Sequence, residues 1–232
     1  MNTTTKIINK TIVYIMVLAM IFASFSGLFA QAPTGQTRAL FFNATNGTMY
    51  LWDGTGSLPG AATTVATTAN FSGSYSWNSG TRTLTLNNFH YSTSHAFALY
   101  INTQLTVELI GENSLTSTLN VATTDISAGL YFNPPSSPAV TNYIKGPGTL
   151  TVRSGNVGAN RSSGINAYWH LTIQSGIVNA YGGRGLISNG IFTAELLTMN
   201  GGIINSHGGR SVSNSPTRGE STGISAEKGL VM

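Results

Sequence analysis

Gly164-Ile165-Asn166-Ala167-Tyr168-Trp169-His170-Leu171-Thr172-Ile173 is followed 26 residues later by Gly190-Ile191-Phe192-Thr193-Ala194-Glu195-Leu196-Leu197-Thr198-Met199. In both stretches a small residue followed by isoleucine precedes a leucine-led strand start by seven positions. The same spacing recurs from Ala98-Leu99 to Leu105 and from Gly223-Ile224 to Leu230. Leucine-threonine starts stand at Leu84, Leu105, Leu150, Leu171 and Leu197, at intervals of 21, 45, 21 and 26 residues. The unit from small residue to leucine is constant and only the connecting stretch varies, as in repeat architectures whose insertions are confined to one face.

Within each unit the periodicity is that of strands. Leu171, Ile173, Val178 and Ala180 fall on one parity of their strands, and Thr172, Gln174, Asn179 and Tyr181 on the other. Short strands punctuated by Gly, Asn and Ser, at about 21 residues per repeat, leave no room for a crossover helix. The expected fold class is all-β, a right-handed parallel β-helix (a solenoid), because parallel crossovers are right-handed almost without exception. Counted from Leu84, the chain has room for six or seven coils, each stacked on the next at about 4.7–4.9 Å.

Three segments are expected. Residues 1–30 read as a secretory signal peptide: Lys6 and Lys10 precede the apolar run Ile12 to Ala23, and the small residue Ala30 marks a cleavage site. As a helix, that run reaches about 18 Å, short of the roughly 30 Å hydrocarbon core. Residues 31–80 carry Asn-Gly and Asp-Gly turns and the aromatics Phe71, Tyr75 and Trp77, and read as a β-rich cap over the first coil. Trp52 and Trp77 are assigned to that cap rather than to a ligand. Residues 81–232 are the repeats. Leu230-Val231-Met232 begins one more strand, so the sequence reads as truncated there, with a further coil or domain expected beyond it.

Composition narrows the function. The 232 residues include no cysteine, which excludes a disulfide framework or a thiolate metal site. Eleven basic side chains face seven acidic ones, and two of the basic ones, Lys6 and Lys10, belong to the leader. So sparse a charge set does not neutralise a nucleic-acid backbone. Catalytic signals are weak as well. Gly219-Glu220-Ser221-Thr222-Gly223 matches a nucleophile-elbow pattern but has no helix after it, and its last glycine belongs to the repeat. His90, His95, His170 and His207 are scattered, and no HExxH occurs. The expectation is a non-enzyme with no cofactor and no metal.

The stretches Ser76-Trp77-Asn78-Ser79-Gly80-Thr81-Arg82-Thr83-Leu84-Thr85-Leu86-Asn87-Asn88, Leu105-Thr106-Val107-Glu108-Leu109-Ile110-Gly111-Glu112-Asn113-Ser114-Leu115 and Leu197-Thr198-Met199-Asn200-Gly201-Gly202 resemble the bacterial secreted β-helix proteins called carbohydrate-binding domain-containing. Polygalacturonate- and cellulose-binding members occur among them. The resemblance spans Tyr75 to Gly229 and implies a secreted or cell-surface polysaccharide-binding protein. Such proteins often hold calcium on clustered acids. Here Asp53, Glu108, Glu112, Asp125, Glu195, Glu220 and Glu227 are dispersed.

Aligning the repeats on Leu150, Leu171 and Leu197 puts Asn160, Tyr181 and His207 in one column, ten residues after each start. Asn179 and Asn205 lie two positions earlier, and Arg184 and Arg210 three positions later. Stacked in phase, this strip suits a linear acidic glycan of plant cell-wall type, with rings on sugar faces, amides on hydroxyls and guanidinium groups on uronate carboxylates. Tyr168 and Trp169, in a turn that is not aromatic elsewhere, are added as a sugar platform, with packing over the adjacent coil or against the Ser127 to Lys145 insertion as the equal alternative. Three alternatives stay open. The columns simply support one another and the Gly-Gly-Arg runs are solvated turns, or the protein is a structural or adhesive stalk presenting loops such as Ser127 to Lys145 to a protein partner, or it is a degenerate polysaccharide-cleaving enzyme. No nucleic acid is expected as a partner, nor a membrane after signal cleavage.

Overall fold

The period-two alternation is realised as strands throughout the described residues. A computed structural model describes residues 32–53, 64–122, 126–135, 140–158, 160–212 and 220–232, all within the unit Ala32–Met232. The segment read as a signal peptide lies outside these residues, as do Asp125 and Gly219. Among the described residues there is no helix, and therefore none long and apolar enough to cross a membrane.

The N-terminal strands are β1 (Ala39–Asn43), β2 (Thr48–Trp52), β3 (Thr64–Val65) and β4 (Ser72–Asn78). After them come β5 (Thr83–Thr93) and β6 (Phe97–Ile101), then β7 (Thr106–Ile110), β8 (Glu112–Ser117), β9 (Asn120–Val121) and β10 (Ile126–Phe132). The next group is β11 (Thr141–Lys145), β12 (Thr149–Arg153), β13 (Asn156–Val157) and β14 (Arg161–Ala167). The last strands are β15 (His170–Ile173), β16 (Ile177–Tyr181), β17 (Ile187–Thr193), β18 (Leu196–Met199), β19 (Ile203–His207), β20 (Glu220–Ala226) and β21 (Gly229–Val231).

Most pairings are parallel, in sheets that curl. Three ladders result. The first runs from the early half of β5 through β7, β11, β15 and β18 to β21. A second continues from the late half of β5 through β8, β12 and β16 to β19. In the third, β1, β6, β10, β14, β17 and β20 are stacked. The short strands β9 and β13 pair with each other between the second and third. The chain visits the ladders in the same order five times, and β21 returns to the first.

Five passes are fewer than the six or seven coils expected, because the leucine-threonine starts do not all lie on one ladder. Leu171, Leu197 and Leu230 are in register on the first ladder, with Asn142 in the preceding rung. Leu150 belongs to the second ladder, opposite Val178. The small-residue signature marks the third ladder more faithfully. Leu40, Leu99, Leu130, Ile165, Ile191 and Ile224 form one buried or half-buried column along it.

The residue just before each leucine or isoleucine of that column is small for a steric reason. A Cβ on Gly164 would stand 2.6 Å from the Tyr181 amide nitrogen, and one on Gly190 would stand 2.5 Å from that of His207. Here the third ladder presses on the second. The facing inward column shrinks accordingly, from Tyr91 through Leu115, Val152 and Ala180 to Ser206. One apolar cluster, including Leu86, Leu99, Leu115, Ile144, Ile165 and Leu171, is shared by all three ladders.

Corners between the first and second ladders also stack. Gly111, Gly176 and Gly202 take φ of 64°, 90° and 88°, the left-handed region that penalises a side chain. In the first rung Asn88 does the same at 47°, and its Oδ1 accepts from the Glu112 amide at 3.1 Å.

At the N-terminal end, β4 runs antiparallel along β5, with Tyr75 opposite Leu86 and Trp77 opposite Leu84. Trp77 meets Phe42 edge-on at 5.1 Å, and Trp52 is buried against Tyr100 and His95. Both tryptophans are thus packing groups. In this region His95 accepts from the Phe97 amide through Nδ1, and His90 Nδ1 lies 2.8 Å from Ser114 Oγ.

Burial pushes both imidazoles below their ordinary value, opposed by Asp53 at His95 and by Glu112 at His90. The unfolded chain therefore takes up these protons first as pH falls. Stability contributed by the two neutral rings is complete above about pH 6.5 and is lost progressively below it. The expected result is a melting temperature that drops on acidification from about pH 6.5 toward 5, with a shallower slope in a His90→Gln/His95→Gln variant. Scanning calorimetry across that range checks it.

Candidate functional site

The second ladder presents alternate residues outward, and its late rungs carry most of the predicted strip. Asn179 faces Asn205 and Tyr181 faces His207 in parallel register. Asn205 Nδ2 donates to Asn179 Oδ1 at 2.8 Å, and Asn179 Nδ2 donates to Thr151 Oγ1 at 3.4 Å. The Tyr181 and His207 rings stack with centroids 5.4 Å apart and planes 9° from parallel. The strand spacing of about 4.8 Å makes this natural, because in-register rings on neighbouring strands fall nearly at stacking distance.

The third member of the ring column is not Asn160. Arg153 is the residue in register with Tyr181, and its guanidinium carbon lies 4.0 Å over that ring. Asn160 stands before the third ladder, where its carbonyl accepts from the Ile187 amide. Alignment on Leu150 misplaced it, since Leu150 and Leu171 occupy different ladders. A better signal lay in the glycines. Arg153-Ser154-Gly155, Tyr181-Gly182-Gly183 and His207-Gly208-Gly209, aligned on the last glycine of each, recover the true column.

One face of Tyr181 is covered by Arg153 and the other by His207, so a sugar ring cannot lie on it. Along this column, ring edges, the phenol hydroxyl, imidazole nitrogens and guanidinium N–H groups point outward instead. Arg184 and Arg210 are exposed on successive turns beyond the strip. The Gly185 amide donates to the Arg210 carbonyl, and the Arg184 amide donates to Asn156 Oδ1 at 2.8 Å. Among the outward positions of β8, β12, β16 and β19 the one carboxylate is Glu112, in the earliest of these rungs.

Tyr168 and Trp169 lie elsewhere, in the turn that leads from the third ladder to the first. They meet edge to face at 5.2 Å, and Trp169 Nε1 donates to the Pro134 carbonyl at 3.2 Å. Tyr168 is half exposed. The pair lines a groove of about 430 Å³ with Tyr100, Asn102, Asn133, Pro134 and Pro135, none of which belongs to the strip. The eight candidate residues therefore fall into two separate groups.

The nucleophile-like serine has a structural partner. Ser127, Ser162, Ser188 and Ser221 are in register at the corner between the second and third ladders. Ser162, Ser188 and Ser221 donate to the carbonyls of Gly155, Gly183 and Gly209 at 2.7, 2.6 and 2.6 Å. In return, the amides of Gly155, Gly183 and Gly209 donate to Ser127, Ser162 and Ser188. Ser221 thus continues a column of corner hydroxyls. Among the described residues no three His, Asp or Glu side chains are grouped to hold a metal ion. Glu108 is engaged by Lys145 at 3.6 Å and by the Thr85 hydroxyl.

Set beside models of protein families, curated proteins and solved structures, the chain matches none of them.

Proposed function

We propose that this chain is a secreted, non-catalytic polysaccharide-binding protein, coiled as a right-handed parallel β-helix, whose second ladder reads an acidic glycan such as polygalacturonate. Support for the coil comes from the five ordered passes through three parallel ladders, joined by crossovers of a kind that is almost always right-handed. One observation carries the binding reading. Arg153, Tyr181 and His207 form an outward column flanked by the Asn179–Asn205 amide pair, with Arg184 and Arg210 on the adjoining turns.

Guanidinium groups on successive rungs meet carboxylates through charge-assisted hydrogen bonds, and amides meet the hydroxyls between them. Contact on this strip is made through ring edges and charges, and affinity accumulates along the polymer rather than at one pocket. Residues 1–30 supply the export signal in this reading.

The mutual pairing within the columns also favours a second reading, a stalk that displays loops to a protein partner. Affinity electrophoresis separates the two. Gels cast with polygalacturonate retard the protein relative to gels cast with neutral glucan, and added salt weakens the effect. Equal mobility in both gels, together with capture by a protein ligand, replaces the first reading with the second.

A further inference from the structure

We infer that the groove lined by Tyr100, Asn133, Pro134, Tyr168 and Trp169 is a second, separate carbohydrate site, one that takes an uncharged sugar ring. Its choice of ligand class rests on the glycan reading above. Its chemistry differs from that of the strip, since no charged side chain is among its described lining residues.

The aromatic wall is built before any ligand arrives. The Trp169 indole is held by its hydrogen bond to the Pro134 carbonyl, and Tyr168 stands across it at 84°, half open to solvent. In contrast to Tyr181, no ring or guanidinium group from a neighbouring rung lies over either ring of this pair among the described residues. An apolar C–H face of a pyranose finds an aromatic surface here at little ordering cost.

The polar side is set as well. Asn133 Nδ2 donates to the Tyr100 hydroxyl at 2.9 Å, which leaves Asn133 Oδ1 as an acceptor and the Tyr100 proton as a donor. Burial raises the Tyr100 pKa, opposed by the Asn133 bond, so the phenol keeps that proton at ordinary pH. A donor and an acceptor side by side match neighbouring ring hydroxyls. A volume of about 430 Å³ falls in the range of small-ligand sites. A proline-rich peptide is the other occupant that aromatic grooves accept, but it has less use for this donor–acceptor pair.

The test is isothermal titration of the full chain with a neutral β-linked tetrasaccharide, a tetragalacturonate and a proline-rich decapeptide. Wild-type protein is expected to bind the neutral sugar. Tyr168→Ala, at a half-exposed position, lowers that affinity about tenfold, the worth of one aromatic contact. Retardation on polygalacturonate stays unchanged in Tyr168→Ala, and an Arg153→Ala variant shows the converse pattern. The inference is overturned if the neutral sugar gives no heat, if Tyr168→Ala binds it as tightly as wild type, or if the peptide alone binds. The strip stands or falls independently, on the polygalacturonate gels.

Discussion

Gly183→Ala is expected to unfold much of the later part of this protein, although it adds a single methyl group. A Cβ at residue 183 would stand 2.2 Å from the Gly155 carbonyl oxygen and 2.8 Å from that of Ser154. Both atoms are backbone in the rung below, so no rotamer change relieves the clash. Moving residue 183 away also breaks the bonds its amide donates to Ser154 Oγ at 2.7 Å and Ser162 Oγ at 2.9 Å, and the Ser162 hydroxyl is fully buried. Overpacking of about 1–3 kcal/mol and one or more stranded polar groups at about 1–3 kcal/mol each sum to roughly 4 kcal/mol. That is a large share of a domain's typical stability. Gly80→Ala is the control, because a Cβ there meets only Asn78 Oδ1 at 3.3 Å. Urea denaturation should separate the two variants clearly, and equal midpoints would contradict the corner account.

The second large effect concerns binding. Replacing Arg153, Arg184 and Arg210 together by alanine should abolish measurable retardation on polygalacturonate while leaving the circular dichroism of the strands intact. All three side chains are exposed, so their removal creates no cavity. At about 1 kcal/mol for each charge-assisted contact, their loss weakens affinity roughly a hundredfold. A triple variant that migrates like wild type in polygalacturonate gels would remove the strip as the binding surface.

Much of the architecture was legible because it depends on local rules. Alternation along Leu171-Thr172-Ile173 and Val178-Asn179-Ala180-Tyr181 gave strands, and the recurring small residue before Ile165, Ile191 and Ile224 tracked the third ladder. The pairing of Asn179 with Asn205 and of Tyr181 with His207 followed from two strings of equal length. What sequence spacing did not reveal was which ladder a given leucine belongs to. Leu150 and Leu171 look alike as strand starts, yet one pairs with Val178 and the other with Asn142 and Leu197. That ambiguity hid Arg153 and promoted Asn160.

The role of the corner glycines was hidden for a related reason. Gly-Gly-Arg reads locally as a solvated turn, and only the rung beneath shows that Gly183 and Gly209 touch backbone. The groove was invisible beyond Tyr168 and Trp169, because Tyr100 and Asn133 reach it from rungs 33 residues apart in sequence.

The most direct test of the whole account uses the absence of cysteine from the chain. Parallel partners in register lie within the separation that a disulfide spans, whereas residues offset by two along the strand do not. An Asn179→Cys/Asn205→Cys variant should therefore cross-link within one molecule under mild oxidation, and an Asn179→Cys/His207→Cys variant should stay reduced. The opposite pattern, or no intramolecular bond in either variant, would mean that the rungs are not in phase and that the outward column does not exist.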